Sequence, residues 1–481
     1  MIHQVKRICA KAAVLAATLI IGVMGNSVNA AAADADGNIV IVIDPGHGGD
    51  DPGKIGVNGV NEEDANYEIA KAMMSRLEQC DGVRVYLTRP EEEWNTNTGR
   101  AMIAAALNAD FLISIHNNSG TETSSGAIVY TSVLPLYSTI TADMGNYILG
   151  NLEQLGIYNN GIQTRNSTEY VGEDYYTIMG EGMRAGVPTV LIEHCFLSNP
   201  VDSLFVSHED GSLDYEKIAL IGKADADAVI DYFNLSANTA VADSESVVEL
   251  EKGYSVRVTP GKTGTGNISW LSSNENTVRV DENGFATAVN SGSATIQYSY
   301  EDGTTGTLSV NVRIPEQVAL VGFIDPTFYS TPEEFAGVDL SSARASVIYS
   351  DGSVKQVTPD HVGEVDYNKV GIQDVAVSYG ALDGKLRIIY SSPEYVPEVT
   401  SRETEAQTEP TTNEPQPTED VTQTSQQESA QGEEDGMSFD IMMIIKLAAG
   451  VVIVVVIGTV VFFLENRMSK SRRRNRRRRR Y

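Results

Sequence analysis

The sequence predicts an α/β domain, with a mostly parallel sheet flanked by helices, followed by two all-β sandwiches, a disordered stalk and one C-terminal transmembrane helix. Three observations carry this. Strand and helix signals alternate between residues 36 and 235, the pattern of a largely parallel sheet. From residue 243 short alternating stretches are punctuated by Gly, Asn and Asp turns without a helix signal, the pattern of sandwiches. Beyond residue 391 the chain turns to Thr, Glu, Gln and Pro, and then becomes continuously apolar from Ile441 to Leu464. A length of 481 residues exceeds what one core supports.

The first residues have the form of a secretory signal over 1–30. Lys6, Arg7 and Lys11 precede an apolar run from Ala12 to Val23, and Val28-Asn29-Ala30 supplies a small-residue cleavage site. The mature protein is then expected to be exported. Removal of Cys9 with the signal leaves Cys80 and Cys195, too few for a disulfide framework and in no metal or redox motif. The net charge of −30 understates the acidity of the folded part, because Arg472 to Arg480 is almost pure arginine. An acidic exterior argues against nucleic acid as its main partner.

The α/β domain is placed at 36–235. Ile39 to Ile43 is an unbroken β-branched run, read as a strand buried on both faces, and it ends in Asp44-Pro45-Gly46-His47-Gly48-Gly49. Glu62 to Cys80 is helical, with Ile69, Met73 and Leu77 on one face, and Val83 to Leu87 is a strand. Asn97 or Thr98 can cap a helix through Leu107 whose Met102, Ile103 and Ala106 face inward. Phe111 to Ile115 is a buried strand ending in His116, and Ala127 to Tyr130 is another strand. Ile140 to Leu155 has helical spacing, Val187 to Ile192 is a strand ending in Glu193, and Ile218 to Phe233 is the closing helix.

Two β-rich regions follow, at 243–313 and 316–390. In the first, Ser269-Trp270, the turn Asp281-Glu282-Asn283-Gly284 and the strand Ala294-Thr295-Ile296 resemble the bacterial immunoglobulin-like group 2 module. In the second, the Tyr349-Ser350-Asp351-Gly352 hairpin and the Gly371 to Tyr379 strand resemble a more divergent immunoglobulin-like group. The segment 391–436 cannot bury a core and is expected to be an extended acidic stalk. The apolar segment 441–464 reaches over ~30 Å at about 1.5 Å per residue, enough to span a bilayer. Lys446 can snorkel near its outer end. The basic tail 465–481 then fits the positive-inside rule, so the expectation is a membrane anchor with the α/β domain and the sandwiches outside. No Leu-Pro-x-Thr-Gly motif precedes the apolar segment.

Three strands of the α/β domain end in a metal ligand or base: His47, His116 and Glu193. Parallel strands bring their carboxyl ends to one rim, and Glu62, opening the first helix, can swing back to it. Two imidazoles and one carboxylate leave a tetrahedral zinc one open position for water, and a further carboxylate can move the water's proton. Each residue taken alone has a structural reading as well. His47 could be a turn histidine, Glu62 a helix N-terminal acid, and His116 and Glu193 satisfied strand-end polar groups. Their common location at element termini of one domain favours the site.

The motifs Asp44-Pro45-Gly46-His47-Gly48-Gly49, Glu62-Glu63-Asp64, Thr88-Arg89, Ser114-Ile115-His116-Asn117-Asn118 and Val190 to Asn199 resemble the zinc-dependent N-acetylmuramoyl-L-alanine amidase family of type 3. The resemblance implies Zn2+ on His47, Glu62 and His116, with Glu193 as the catalytic carboxylate. It implies peptidoglycan as substrate, cut at the amide between N-acetylmuramic acid and L-alanine of the stem peptide. Cys195 stands where the family commonly has a small residue, and Glu63 replaces a frequent lysine. Asn118, Arg89 and Arg100 could touch substrate or brace loops, whereas His194, next to Glu193 on a strand, should point to the opposite face. Two other readings are an inactive wall-binding or adhesion protein and a zinc peptidase acting within the stem peptide. The intact set of four residues speaks against the first.

Overall fold

The structure, a computed structural model, describes residues 37–168, 172–243 and 246–391. The predicted signal, the stalk beyond residue 391, the membrane span 441–464 and the basic tail lie outside the described residues. Among the described residues no helix is long and apolar enough to cross a membrane.

The first layer is a six-stranded sheet of β1 (Ile39–Pro45), β2 (Val83–Leu87), β3 (Phe111–Asn118), β4 (Ala127–Tyr130), β5 (Asn159–Gln163) and β6 (Thr189–Phe196), in the order β2-β1-β3-β6-β4-β5. Pairing is parallel between β1 and β2, β1 and β3, and β3 and β6, while β4 runs antiparallel to β6. The sheet is therefore mixed rather than uniformly parallel, and its parallel part is the part that carries the site. Five helices accompany it: α1 (Glu62–Leu77), α2 (Asn97–Ala106), α3 (Pro135–Gln154), α4 (Thr177–Arg184) and α5 (Tyr215–Phe233). Ile69, Met73 and Leu77 of α1 are fully buried against α5 and the sheet, as their spacing requires.

Several local expectations are corrected. The cap of α2 is Thr96, whose hydroxyl accepts from the Gly99 amide at 2.9 Å, rather than Asn97 or Thr98. Starting the helix there leaves Ala106 exposed, while Met102 and Ile103 are buried as expected. Helix α5 starts three residues earlier than its apolar spacing suggests because Asp214 accepts from the Lys217 amide. Strands β3 and β6 run past His116 and Glu193 rather than ending at them. Strand β5 and helix α4 escape the sequence reading altogether.

The second unit contains β7 (Thr239–Ala242), β8 (Val247–Leu250), β9 (Ser255–Pro260), β10 (Ile268–Ser272), β11 (Val278–Val280), β12 (Phe285–Ala288), β13 (Gly292–Tyr300) and β14 (Thr305–Val312). They form two four-stranded sheets over one core that includes Val256, Ile296, Tyr298 and Leu308. The third unit contains β15 (Gln317–Phe323), β16 (Phe328–Tyr329), α6 (Pro332–Ala336), β17 (Arg344–Tyr349), β18 (Val354–Val357), β19 (His361–Val362), β20 (Gly371–Tyr379) and β21 (Leu382–Tyr390). Hydrogen bonding joins its strands into a single seven-stranded sheet, not two separate ones, because β15 pairs with β17 on one side and β21 on the other.

The third unit is not a spacer strung behind the catalytic domain. Val321 of β15 and Ile348 of β17 belong to the same buried cluster as Val40, Val42, Ala101, Ile103 and Met179. They complete the core on the α2–α4 side of the catalytic sheet. Edge strand β2 is covered too: the Val85 amide donates to the Tyr254 hydroxyl at 3.0 Å and the Leu87 amide to the Gly352 carbonyl.

At the carboxyl rim a buried network fixes the strand ends. Asp44, the penultimate residue of β1, accepts from the Thr88 hydroxyl after β2, from the Ser114 hydroxyl in β3 at 2.7 Å and from the Arg100 guanidinium in α2 at 3.0 Å. Both charged side chains are 2% exposed. Burial alone would raise the Asp44 carboxyl, but Arg100 and the two hydroxyls outweigh it and hold it below its ordinary value.

Two outcomes are expected. Removing one partner of a buried pair strands the other charge, so Arg100→Ala should lose about 3–5 kcal/mol of unfolding free energy in a denaturant titration. Glu78, 5% exposed where α1 meets the β-units, is pushed by burial and then by Asp351 up to about 8, from 4.5. Between these values the folded protein keeps a proton that the unfolded chain has released, so stability present at low pH is lost as pH rises through that window. The thermal midpoint of the wild type should therefore fall by several degrees more between pH 5 and pH 8.5 than that of Glu78→Gln.

Candidate metal centre and active-site cleft

The parallel register decides which side chains meet. His116 of β3 lies directly beside Glu193 of β6, and Pro45 of β1 beside Ile115. His47 therefore leaves β1 at the level where His116 and Glu193 stand. The chain reaches it through a tight turn in which His47 itself has a φ of 63°, an unusual backbone for a non-glycine residue. Buried hydrogen bonds hold this turn: Arg89 donates to the Pro45 carbonyl at 2.9 Å and the Gly46 carbonyl at 3.3 Å, and Arg100 to the carbonyls of Pro45 and His47. A Cβ on Gly46 would run into the imidazole of His116. That glycine thus makes room for the partner histidine rather than for His47.

Glu62 opens α1 and is 4% exposed. Its Oε1 lies 3.3 Å from His47 Nε2 and 3.1 Å from His116 Nδ1. The ligand atoms of His47, Glu62 and His116 all fall within 4.8 Å of one another, so the three could hold one metal ion. Their donor set of two imidazole nitrogens and a carboxylate oxygen suits zinc. Burial opposes the charge on Glu62, but hydrogen bonds from His116 and His47 outweigh it and hold the carboxyl far below its ordinary range. The same carboxylate, with Asp51, raises His47 to about 9 against the opposing effect of burial.

Residues without a sequence signal orient these three. Asp51 takes the outer nitrogen of His47, with Nδ1 and Oδ2 2.8 Å apart, which turns Nε2 toward Glu62. The Lys54 amide donates to Glu62 Oε2 at 2.8 Å, and the Asn117 amide to Oε1 at 3.2 Å. Asn66, one turn along α1, donates to Glu62 Oε1 and accepts from Asn117, whose Oδ1 faces the Cys195 thiol at 3.1 Å. Only the Asp four residues after His47 in a Gly-rich loop could have been noticed in advance.

Glu193 stands in the same cleft, with a buried Oε2 that has no hydrogen-bond partner among the described residues. Burial, then the charge of Glu62, pushes its carboxyl up to about 8, with His47 opposing. An orphaned carboxylate oxygen beside a two-histidine, one-carboxylate cluster is the arrangement expected of a group awaiting water or substrate. The cleft holds about 640 Å³ and also presents Asn118, Trp94 and Tyr176.

The remaining sequence candidates fall into place. His194 is fully buried on the other face of β6, its Nε2 2.8 Å from Asp225 of α5 and its Nδ1 3.0 Å from the His116 carbonyl. Arg89 and Arg100 brace the His47 turn. Cys80 and Cys195 are buried free thiols, and burial raises the Cys195 thiol well above its ordinary value, which leaves it unreactive.

Comparisons with known proteins follow the same boundary. The model of the N-acetylmuramoyl-L-alanine amidase family matches residues 41–220. The sporulation-specific N-acetylmuramoyl-L-alanine amidase of Bacillus subtilis (strain 168) is 38% identical over 96 residues, 20% of this chain and 37% of that protein. The uncharacterized protein YqiI of the same organism is 28% identical over 190 residues, 40% of this chain and 81% of its own length. Among solved structures, the catalytic domain of CwlV, an N-acetylmuramoyl-L-alanine amidase from Bacillus (Paenibacillus) polymyxa var. colistinus, is similar at 27% identity, with a TM-score of 0.34 over 41% of this chain and 99% of that one. The chain thus spans little more than a third of the first relative's length, and its β-units lie outside the matched span. The likeness to N-acetylmuramoyl-L-alanine amidases therefore rests on residues 41–220, a little over a third of the chain.

Proposed function

We propose that the protein is a zinc-dependent peptidoglycan hydrolase that cleaves the amide between N-acetylmuramic acid and L-alanine of the stem peptide. The observation that carries this is the convergence of the ligand atoms of His47, Glu62 and His116 within 4.8 Å, in a cleft shared with Glu193, whose Oε2 has no partner among the described residues. A zinc ion held by these three supplies Lewis-acid chemistry, polarising a carbonyl and making water nucleophilic near neutral pH.

The protein's own groups do the rest. Glu193 takes the proton of the attacking water and delivers it to the departing alanine nitrogen, so the broken C–N bond leaves a carboxylic acid and a free amine. Its dry surroundings keep the carboxyl ready to hold a proton between the two transfers. Asp51 fixes His47 in the tautomer that turns Nε2 inward.

The signal-like N-terminus, the apolar segment 441–464 and the basic tail support an exported enzyme anchored in the cell membrane, with the amidase domain facing the wall. In that place it would act in wall remodelling, and the β-units could contact wall components or other proteins.

Digestion of peptidoglycan followed by mass spectrometry of the products should give stem peptides with a free L-alanine amine and intact peptide bonds. Cleavage within the stem would instead identify a peptidase. His47→Ala should lose both bound zinc and turnover, whereas Glu193→Ala should keep zinc and lose turnover by at least about 100-fold. Equal turnover by wild type and Glu193→Ala would sink the assignment. Gly46→Ala, which forces His116 aside, should weaken zinc binding by about 10–100-fold, read by competition with a chelator.

A further inference from the structure

The cleft around His47, Glu62, His116 and Glu193 is not closed by the amidase domain alone. Asp325, Pro326, Thr327 and Phe328, which belong to the third unit, line the same cavity. Asp325, Pro326 and Thr327 lie in the connection from β15 to β16 and Phe328 opens β16, all outside the matched 41–220 span.

This loop is held firmly. The Thr327 hydroxyl donates to the Ile324 carbonyl at 2.9 Å, and its carbonyl accepts from the Ile389 amide at 3.0 Å. The Tyr329 hydroxyl donates to the Pro326 carbonyl at 2.7 Å. Thr327 and Tyr329 are buried, whereas Asp325, Pro326 and Phe328 are exposed. Phe328 remains 39% exposed.

The unit that carries the loop is in turn fixed to the amidase domain. Val321 and Ile348 sit in the shared core. Arg387 of β21 lies 3.6 Å from the fully buried Glu181 of α4 and 2.8 Å from Asp374 of β20. Gln356 donates to the carbonyl of Trp94, itself a cleft residue. The first residues of α4, Thr177 and Ile178, line the cleft as well, so the Glu181–Arg387 contact joins two of its walls.

A single exposed aromatic is ordinary on a protein surface. One held on a rigid loop inside a catalytic cleft, beside a carboxylate, has the makings of a recognition element. Binding sites are built from apolar and aromatic faces with a few placed polar groups. A pyranose ring presents the matching surface, an apolar C–H face rimmed by hydroxyl and amide donors. We propose that the Asp325–Phe328 loop is a substrate-binding wall of the amidase cleft, with Phe328 packing on the muramoyl sugar ring and Asp325 accepting hydrogen bonds from its polar rim. The inference rests on the amidase reading above and assigns a recognition role to a unit outside the amidase domain.

The test uses the full chain and a soluble N-acetylmuramoyl peptide. Phe328→Ala should raise KM about tenfold while kcat stays within about twofold, the loss of one well-packed aromatic contact. In a Glu193→Ala background the Kd for the same peptide should rise by the same factor, and Phe328→Tyr should restore the wild-type value. Asp325→Asn, a near-isosteric change at an exposed position, should raise KM about threefold, the loss of the charge and one acceptor oxygen. Unchanged KM and Kd in Phe328→Ala and Asp325→Asn, a fall in kcat with Kd unchanged, or faster turnover from an unblocked cleft would each overturn the wall. Wild type that neither binds nor cleaves the peptide would overturn it together with the amidase reading.

Discussion

Asp44 carries a charge at the point where three strands end, and the site depends on how that charge is satisfied. Its carboxylate collects Thr88 from the end of β2, Ser114 from β3 and Arg100 from α2. Arg100, together with Arg89, also donates to the carbonyls of Pro45, Gly46 and His47. One buried anion thus aligns the strand ends and, through Arg100, stiffens the turn that projects His47 in an unfavourable backbone conformation. Strain of this kind persists only where surrounding contacts over-determine it.

Two carboxylates in one cleft are driven in opposite directions by their neighbours. Glu62 is surrounded by donors, two imidazoles and two backbone amides, and stays ionised. Glu193 is buried without a donor on its Oε2 and within reach of the Glu62 charge, and it holds its proton more tightly. In the proposed mechanism, divergent environments of this sort would set a metal ligand apart from a proton carrier without any difference in residue type. Sequence reasoning alone does not separate the two glutamates, since both lie at element termini of one domain. The family resemblance implies a division of labour between them, and their hydrogen-bond partners differ in the same sense.

The parts legible in the sequence are those governed by burial periodicity. Strands β1, β3 and β6 are buried on both faces, so they appear as continuous apolar runs, and the residues that close them stand out. The supporting polar residues do not, because Asp51, Asn66 and Asn117 acquire their roles from loop paths and helix turns with no periodic signature. Helix α4 contains Gly180 and Gly182, which depress helix propensity; a Cβ on Gly182 would strike Thr189, so close packing, not propensity, decides that segment. Strand β5 has little apolar alternation and exists through its pairing with β4. Alternation in the third unit announces a buried face at Val321 and Ile348 but not what covers it, and the cover proves to be α2 and α4 rather than a second sheet.

The capping of β2 by Tyr254 and Gly352 bears on how this protein avoids sticking to its neighbours. An edge strand with free amides is a template on which another chain can add a strand, and β2 is a regular, apolar one. With the Val85 and Leu87 amides occupied by the β-units, that template is closed. Cutting the chain after α5 to obtain the amidase domain alone would bare this edge together with the apolar flank that Val321 and Ile348 cover. Such a fragment would expose an aggregation-prone edge that the β-units cover among the described residues, so these units shield the α/β sheet as well as complete its core.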